Sequence, residues 1–450
     1  MEYTQHRLDQ TRRIYSSIDG TLRVRDGTPI PRPRPTKESI NPQALATLLY
    51  SGTVLPPETI FRAFYSVGPG GTLSVDENEP RYREPGELFE DAPDPTELLD
   101  PITCLAEAMD ASDVDLSQCK LLLSEGKDST GIAIALAELG LKVDCVTFAN
   151  SDSNVELVTE VAHRFGHRLE IIRYQDLTIP TRNLETLASV FEPTVDQAFL
   201  SYLLLSAKVF EGTIIIDGMG NDFYMGHLPT KQQFKATKYC DIVSKFLPRR
   251  LRESLKGKLF RNREYCGIPL RTFSECQGLY NGFDRGVLRK EIAEPRTLDE
   301  LDKTWKKFGF QKGRALSRGR YLDTYSFCGK SIALAEMASA KVYFPWADAR
   351  IAQRFEGLSP EAKYEWPTVN KLPLRKAINQ RFDYQQPKVG FRAPIDGILQ
   401  SNRQTFERAV KESRLIPDRL KHEVYNPAPY KNRSVACLLV ALWERYSVDA

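Results

Sequence analysis

From Leu121 to Gly226 short apolar runs alternate with amphipathic stretches, the pattern of strands and helices taking turns in an open parallel sheet. Leu121 to Leu123 is apolar, short and bounded by polar residues, which suits a buried parallel strand better than a helix. The periodicity then predicts a helix from Ser129 to Leu139 closed by Gly140. A second strand is expected at Lys142 to Phe148. An amphipathic helix from Asn154 to Phe165 stops at Gly166, and Arg168 to Ile172 reads as a third strand. A helix from about Asp196 to Glu211 and a fourth strand at Thr213 to Ile216 complete the alternation.

Before this unit the pattern is less regular. Pro29, Pro31, Pro33 and Pro35 forbid a helix and predict an extended connector. Helices are expected at Pro42 to Tyr50 and, after a turn at Pro56-Pro57, running into Tyr65; Val67 to Val75 reads as a hairpin. The Pro- and acid-rich stretch Glu84 to Pro101 is a candidate linker ahead of a helix leading to Cys119. Residues 1–100 are therefore expected to form an N-terminal extension, and 101–450 an α/β domain, an open parallel sheet with helices on both faces and a mostly helical C-terminal part.

Composition narrows the function classes. With 41% hydrophobic and 27% charged residues and a formal net charge of +3 in 450 residues, the chain reads as a globular protein whose charge does not point to nucleic acid. No apolar run approaches the roughly 18 residues that span a bilayer, and the start is polar, so no membrane contact and a cytoplasmic location are expected. Eight scattered cysteines with no C-x-x-C pair are expected to be reduced thiols. His163 and His167 stand four apart without a third ligand, and solvated or capping roles are expected for them. Lys231 to Arg263 is basic with interleaved aromatics; a nucleic-acid or phosphorylated-substrate surface is one reading, and an amphipathic helical insertion with a solvated basic face is the preferred one. Trp305, Trp366 and Trp443 read as core or interface residues.

Chemistry concentrates at two strand ends. Ser124-Glu-Gly-Lys-Asp-Ser129 joins a strand to a helix N-terminus, where backbone N–H groups and the helix dipole favour an anion. A Walker loop would need glycine at position 121, which is Leu121; an ordinary strand-turn-helix corner is the plain alternative. Asp217-Gly-Met-Gly-Asn-Asp222 closes the fourth strand about ninety residues later and brings a second carboxylate to the same edge.

Together with Pro345-Trp-Ala-Asp348, Lys371-Leu-Pro-Leu-Arg375 and Pro387-Lys-Val-Gly-Phe391, these loops resemble, in order, motifs of the synthetase half of the asparagine synthetases, β-lactam synthetases and lasso-peptide cyclases. The resemblance runs from about Leu45 to the C-terminus. It implies a sheet of the PP-loop ATP pyrophosphatase type and an AMP-forming carbon–nitrogen ligase using ATP and Mg2+. It places Ser124, Gly126 and Ser129 on pyrophosphate, Leu123, Phe148, Asp217 and Gly218 around the nucleotide, and Asp128 and Asp222 on magnesium. Lys388 is the candidate catalytic cation, with Lys371 and Arg375 near the phosphates. The implied reaction activates a small-molecule or peptide carboxylate as an acyl-adenylate, which ammonia or a substrate amine then attacks.

Departures from the family pattern qualify this. The family's glutaminase nucleophile is an N-terminal cysteine; residue 2 is Glu2 and the first cysteine is Cys104, so the glutaminase half is expected to be missing and a separate partner could supply ammonia. Lys341 stands where asparagine synthetases carry a glutamate near the amine site, and its charge argues against a protonated amine there. Glu125 replaces a glycine, and Phe223 replaces an acidic residue. A non-catalytic relative that binds nucleotide or a partner chain is the alternative reading.

Overall fold

The computed structural model describes residues 2–4, 13–18, 21–23, 34–62, 64–67, 72–76, 79–83, 99–149, 155–173, 176–188, 191–204, 207–225, 246, 248, 251, 274, 278, 281–283, 285–296, 299, 302–303, 328–365, 369–384, 394–424 and 431–448. Its centre is a five-stranded, wholly parallel sheet. The strands are β1 (Cys119–Leu122), β2 (Asp144–Ala149), β3 (Arg168–Arg173), β4 (Ile214–Ile216) and β5 (Lys341–Tyr343). They lie in the order β5-β4-β1-β2-β3. The chain builds outward from β1 to β3, then returns to pair β4 on the other side of β1. That reversal is a switch point, where loops leaving β1 and β4 diverge and leave a crevice at the carboxyl ends.

Both faces of the sheet are covered, as parallel strands require. Cys119, Leu121, Cys145 and Ile216 pack with Ile132 to Leu136 of the helix Lys127–Glu138 and with the helices Pro101–Asp110, Val155–Arg164 and Leu372–Arg381. Val146 and Ile215 face the other way, against Tyr202, Phe210 and Leu334. Successive residues along each strand thus serve opposite layers.

A second core is helical. Val435 to Trp443 of the helix Lys431–Val448 is buried all round, packed with Ala44 to Leu49, Phe199, Ile398 and Phe406. Apolarity on every side marks a helix enclosed by protein, and Trp443 is a core residue as expected. No helix among the described residues is long and apolar enough to cross a membrane.

Several expectations are corrected. No helix runs into Tyr65: Phe64–Val67 is a strand paired with Arg13–Ile18. The Thr59 hydroxyl, 3.0 and 3.1 Å from the Phe61 and Phe64 carbonyls, accepts the Phe61 N–H at 3.1 Å and diverts that backbone from helical bonding. Val67 to Val75 is not one hairpin, because Thr72–Asp76 pairs instead with Glu2–Thr4 and Glu79–Arg83. The stretch Asp196 to Glu211 breaks into a helix at Ala198–Tyr202 and a 3-10 turn at Ala207–Phe210. Its apolar residues serve two cores, Phe199, Leu200 and Leu203 in the helical one, Tyr202 and Phe210 beneath the sheet. Strand β5 was not expected. Residues 84–98, the connector prolines Pro29, Pro31 and Pro33, Lys231 to Arg263 apart from Phe246, Pro248 and Leu251, Trp305 and Trp366 lie outside the described residues.

His167 takes a core role. Its Nδ1 accepts the Val143 N–H at 3.3 Å, so the proton sits on Nε2, which donates to the Ala133 carbonyl at 2.8 Å. Burial lowers its pKa from the usual 6.5, against the opposing pull of the Ala133 carbonyl. The unfolded chain therefore takes up a proton near pH 6.5 that the fold resists. Stability intact above that pH should decline as the pH falls below it, by at most about 1.4 kcal/mol per unit. Urea denaturation between pH 7.5 and pH 5, as about the working range in which histidine titrates, should show a smaller slope for His167→Gln; an unchanged slope would remove His167 as the source.

Candidate functional site

The first loop is tied to itself before it meets anything else. Leu123, buried, extends β1 by donating its N–H to the Val146 carbonyl at 3.0 Å. The chain then turns, and Ser124 Oγ accepts the Gly126 N–H at 3.2 Å while Ser129 Oγ accepts the Ser124 N–H at 3.1 Å. The two hydroxyls lie 3.0 Å apart. This brace starts the helix at Lys127, two residues before the expected Ser129, and places Asp128 in its first turn. Gly126 is the N-cap and offers no side-chain bond to the first N–H groups. Tyr384 holds the loop from outside, its hydroxyl donating to the Glu125 carbonyl at 2.7 Å.

The second loop lies against the first, backbone on backbone. A Cβ on Gly218 would stand 3.0 Å from the Ser129 nitrogen. Gly220 has φ +119°, and a Cβ there would stand 2.8 Å from the Ala347 nitrogen. Only glycine permits this approach and this backbone conformation. Trp346 completes the contact, donating Nε1–H to the Asp128 carbonyl at 3.0 Å and accepting the Tyr224 hydroxyl on its own carbonyl at 3.0 Å.

At the junction four oxygens from three side chains converge on one ammonium. Lys371 Nζ lies 3.0 Å from both Asp128 carboxylate oxygens, 2.6 Å from Asp222 Oδ1 and 2.5 Å from Asn221 Oδ1. Asn221 returns its Nδ2–H to Asp128 Oδ1 at 2.7 Å. Lys371 is 2% exposed and has left-handed backbone angles, φ 57° and ψ 45°, an uncommon conformation for a residue with a side chain. Burial pushes the Asp128 carboxyl up, but Lys371, then Lys127 and the Asn221 amide outweigh it and hold it below the usual carboxylate range. Burial likewise brings the Lys127 ammonium down to about 8, with Asp128 opposing and Lys371 and Arg375 assisting.

The expected site residues therefore separate into groups. Ser124, Gly126, Asp128, Ser129, Gly218, Asp222 and Lys371 come together at the two loops. Arg375 stands one turn into the following helix, its Nε donating to the Asn370 carbonyl at 3.1 Å. Phe148 packs on the opposite face of the sheet, its ring 6.1 Å from Tyr202 and 6.4 Å from Phe210. Asp217 is bound inward, one oxygen accepting the Met219 N–H at 3.1 Å and the other the Ser331 hydroxyl. Lys388 lies outside the described residues. Lys341 is exposed at the start of β5, paired with Ile214, whereas the loops leave the level of Tyr343 and Ile216. It sits toward the amino end of the sheet.

Sequence reasoning missed Lys127, Asn221, Trp346 and Tyr384. Lys127 and Asn221 stand inside the two loops and could have been drawn from them. Among the described residues no group of three or more His, Cys, Asp or Glu could hold a metal ion. The convergent set is two carboxylates and one amide oxygen, hard donors suited to a cation. No family model matches the chain, and no curated protein matches it in sequence.

Proposed function

We propose that the chain is an ATP-dependent ligase of the PP-loop pyrophosphatase type, which activates a substrate carboxylate as an acyl-adenylate and passes it to ammonia or an amine. The observation that carries this reading is the junction at the sheet's switch point, where the Ser124–Ser129 loop meets Asp128, Asp222, Lys371 and Arg375. A helix N-terminus, serine hydroxyls and cations suit a polyphosphate. The hard oxygens of Asp128, Asn221 and Asp222 fit a magnesium ion that keeps its remaining places for phosphate oxygens and water, and such an ion would offset charge as pyrophosphate departs. Lys371 already bridges both carboxylates, so it would have to release them as that ion enters. On the family resemblance, Lys388 would face the reacting groups.

Incubation with ATP, Mg2+ and a panel of carboxylates should yield pyrophosphate and AMP in equal amounts with one acid class. Asp128→Asn and Asp222→Asn are each expected to lower that yield by about 100-fold or more, the scale of losing one electrostatic contact to a transition state. Release of ADP and phosphate instead, or full activity in both variants, would reject the assignment. One observation favours the second reading, a nucleotide- or partner-binding relative without catalysis: Lys371 bridges the two carboxylates and takes the place between them that a metal ion would need. Tight ATP binding without pyrophosphate release from any acid would decide for it.

A further inference from the structure

Asp217 stands where β4 becomes the second loop, and the fold engages it through backbone and side chain alike. Its N–H donates to the Tyr343 carbonyl at 3.1 Å, which carries the β4–β5 pairing one residue past Ile216. One carboxylate oxygen accepts the Met219 N–H at 3.1 Å and so turns the chain at Gly218. The other accepts the Ser331 hydroxyl. Ser331 is fully buried in the helix Cys328–Met337. That helix packs Leu334, Ala335 and Ala338 with Val146 and Ile215, on the face of the sheet opposite the helix Lys127–Glu138.

The loop that follows has little slack. A Cβ on Gly218 would stand 3.0 Å from the Ser129 nitrogen, and one on Gly220 would stand 2.8 Å from the Ala347 nitrogen. The next two residues carry the junction's oxygens: Asn221 Nδ2 donates to Asp128 Oδ1 at 2.7 Å, and Asp222 Oδ1 lies 2.6 Å from Lys371 Nζ. A segment fixed at its root and closely packed on both sides passes a displacement along to its tip, because close-packed neighbours cannot absorb it. The turn by itself needs only the bond to Met219, which any short side chain with an acceptor oxygen supplies. The second bond, to a helix on the far face, ties the root of the loop to the scaffold.

We propose that Asp217, held by Ser331, is a positioning residue that sets Asn221 and Asp222 against Asp128 and Lys371, and that its side chain makes no contact with a nucleotide. Each carboxylate oxygen is given to a donor of the fold and the residue is 7% exposed, so the side chain offers a ligand little surface. The positioning role concerns the ion cluster alone; that the cluster takes magnesium and pyrophosphate rests on the ligase reading.

The test uses the full chain and has two arms. In urea unfolding, the factor by which Asp222→Asn raises the unfolding constant should be about threefold or more smaller in a Ser331→Ala background than in the parent, beyond the roughly twofold scatter of independent sites, because the contact Asp222 makes is already loosened. In calorimetry with inorganic pyrophosphate and Mg2+, Ser331→Ala and Asp217→Ala should each weaken binding by about tenfold, the lower end of what losing an outer support of a metal site costs, and should leave AMP affinity in place. Asp217→Asn should retain most of the pyrophosphate affinity, since its amide oxygen still accepts the Met219 N–H and its amide nitrogen donates to the Ser331 hydroxyl. An additive cycle would overturn the proposal, because a purely structural Ser331 destabilises the fold without reference to Asp222. Loss of AMP affinity in Asp217→Ala with Ser331→Ala silent would also overturn it, that being the pattern of a side chain that touches the nucleotide. Should Asp217→Ala not fold, Ser331→Ala and Asp217→Asn carry the binding arm. A parent that binds neither pyrophosphate nor AMP would sink the ligase reading, and the unfolding cycle would then decide the positioning role by itself.

Discussion

Lys371→Met should destabilise the fold by about 3–5 kcal/mol, the usual consequence of removing one partner from a buried ion cluster. The ammonium is the common partner of Asp128, Asp222 and Asn221, all within 3.0 Å of it. Without it, two carboxylates share one enclosed space, and like charges so placed force one of them to take a proton or the loops to part. Methionine keeps the stem and inherits the same left-handed backbone angles, so the substitution isolates the charge and does not relieve the backbone. Urea unfolding at neutral pH measures the loss, and a cycle with Asp222→Asn should recover part of it, because the double variant leaves one carboxylate and not two. A loss below about 1 kcal/mol, the range of exposed pairs, would mean that water reaches the cluster freely.

Much of the sheet can be read from the sequence, and the reason is local. Leu121 to Leu123 and Ile214 to Ile216 are apolar runs cut by glycine-bearing turns, and each turn ends a strand whose helix follows in phase. Strand β5 is different: Lys341-Val342-Tyr343 carries too little periodicity to be seen, and becomes a strand because Ile214 to Ile216 offers it a free edge. Phe64–Val67 fails for the same reason, its conformation depending on Arg13–Ile18 fifty residues away. At the site, residue types were legible and their partners were not. Lys371 was expected beside phosphate, yet in this state its charge is met by Asp128 and Asp222. A lysine is exposed by default, so nothing in the sequence marks Lys127 as buried; its burial goes with the brace between Ser124 and Ser129 at the start of the helix. Trp346 could not be placed at all until β5 was known, since the strand sets where its ring points.

Gly220→Ala should cost about 2–4 kcal/mol, combining a left-sided backbone conformation with an overpacked contact. Its φ of +119° disfavours any side chain, and the added Cβ would meet the Ala347 nitrogen at 2.8 Å, a backbone atom held by its own bond to the Phe344 carbonyl at 3.0 Å. Gly212 separates the two terms: its φ is +66°, but a Cβ there meets nothing within 4 Å. Gly212→Ala should therefore cost only about 1–2 kcal/mol, the conformational part alone. The difference between the two variants is the price of forcing the second loop off the Pro345–Ala347 turn. That displacement would reach Asp222, two residues on, and draw its carboxylate away from Lys371 Nζ, now 2.6 Å distant. Gly220→Ala should accordingly also lose pyrophosphate affinity, which Gly212→Ala should keep, since Gly212 lies before β4 at the opposite end of the strand. Equal destabilisation by both alanines, with binding intact in each, would show that the loop yields around residue 220 and that the junction does not depend on this backbone contact.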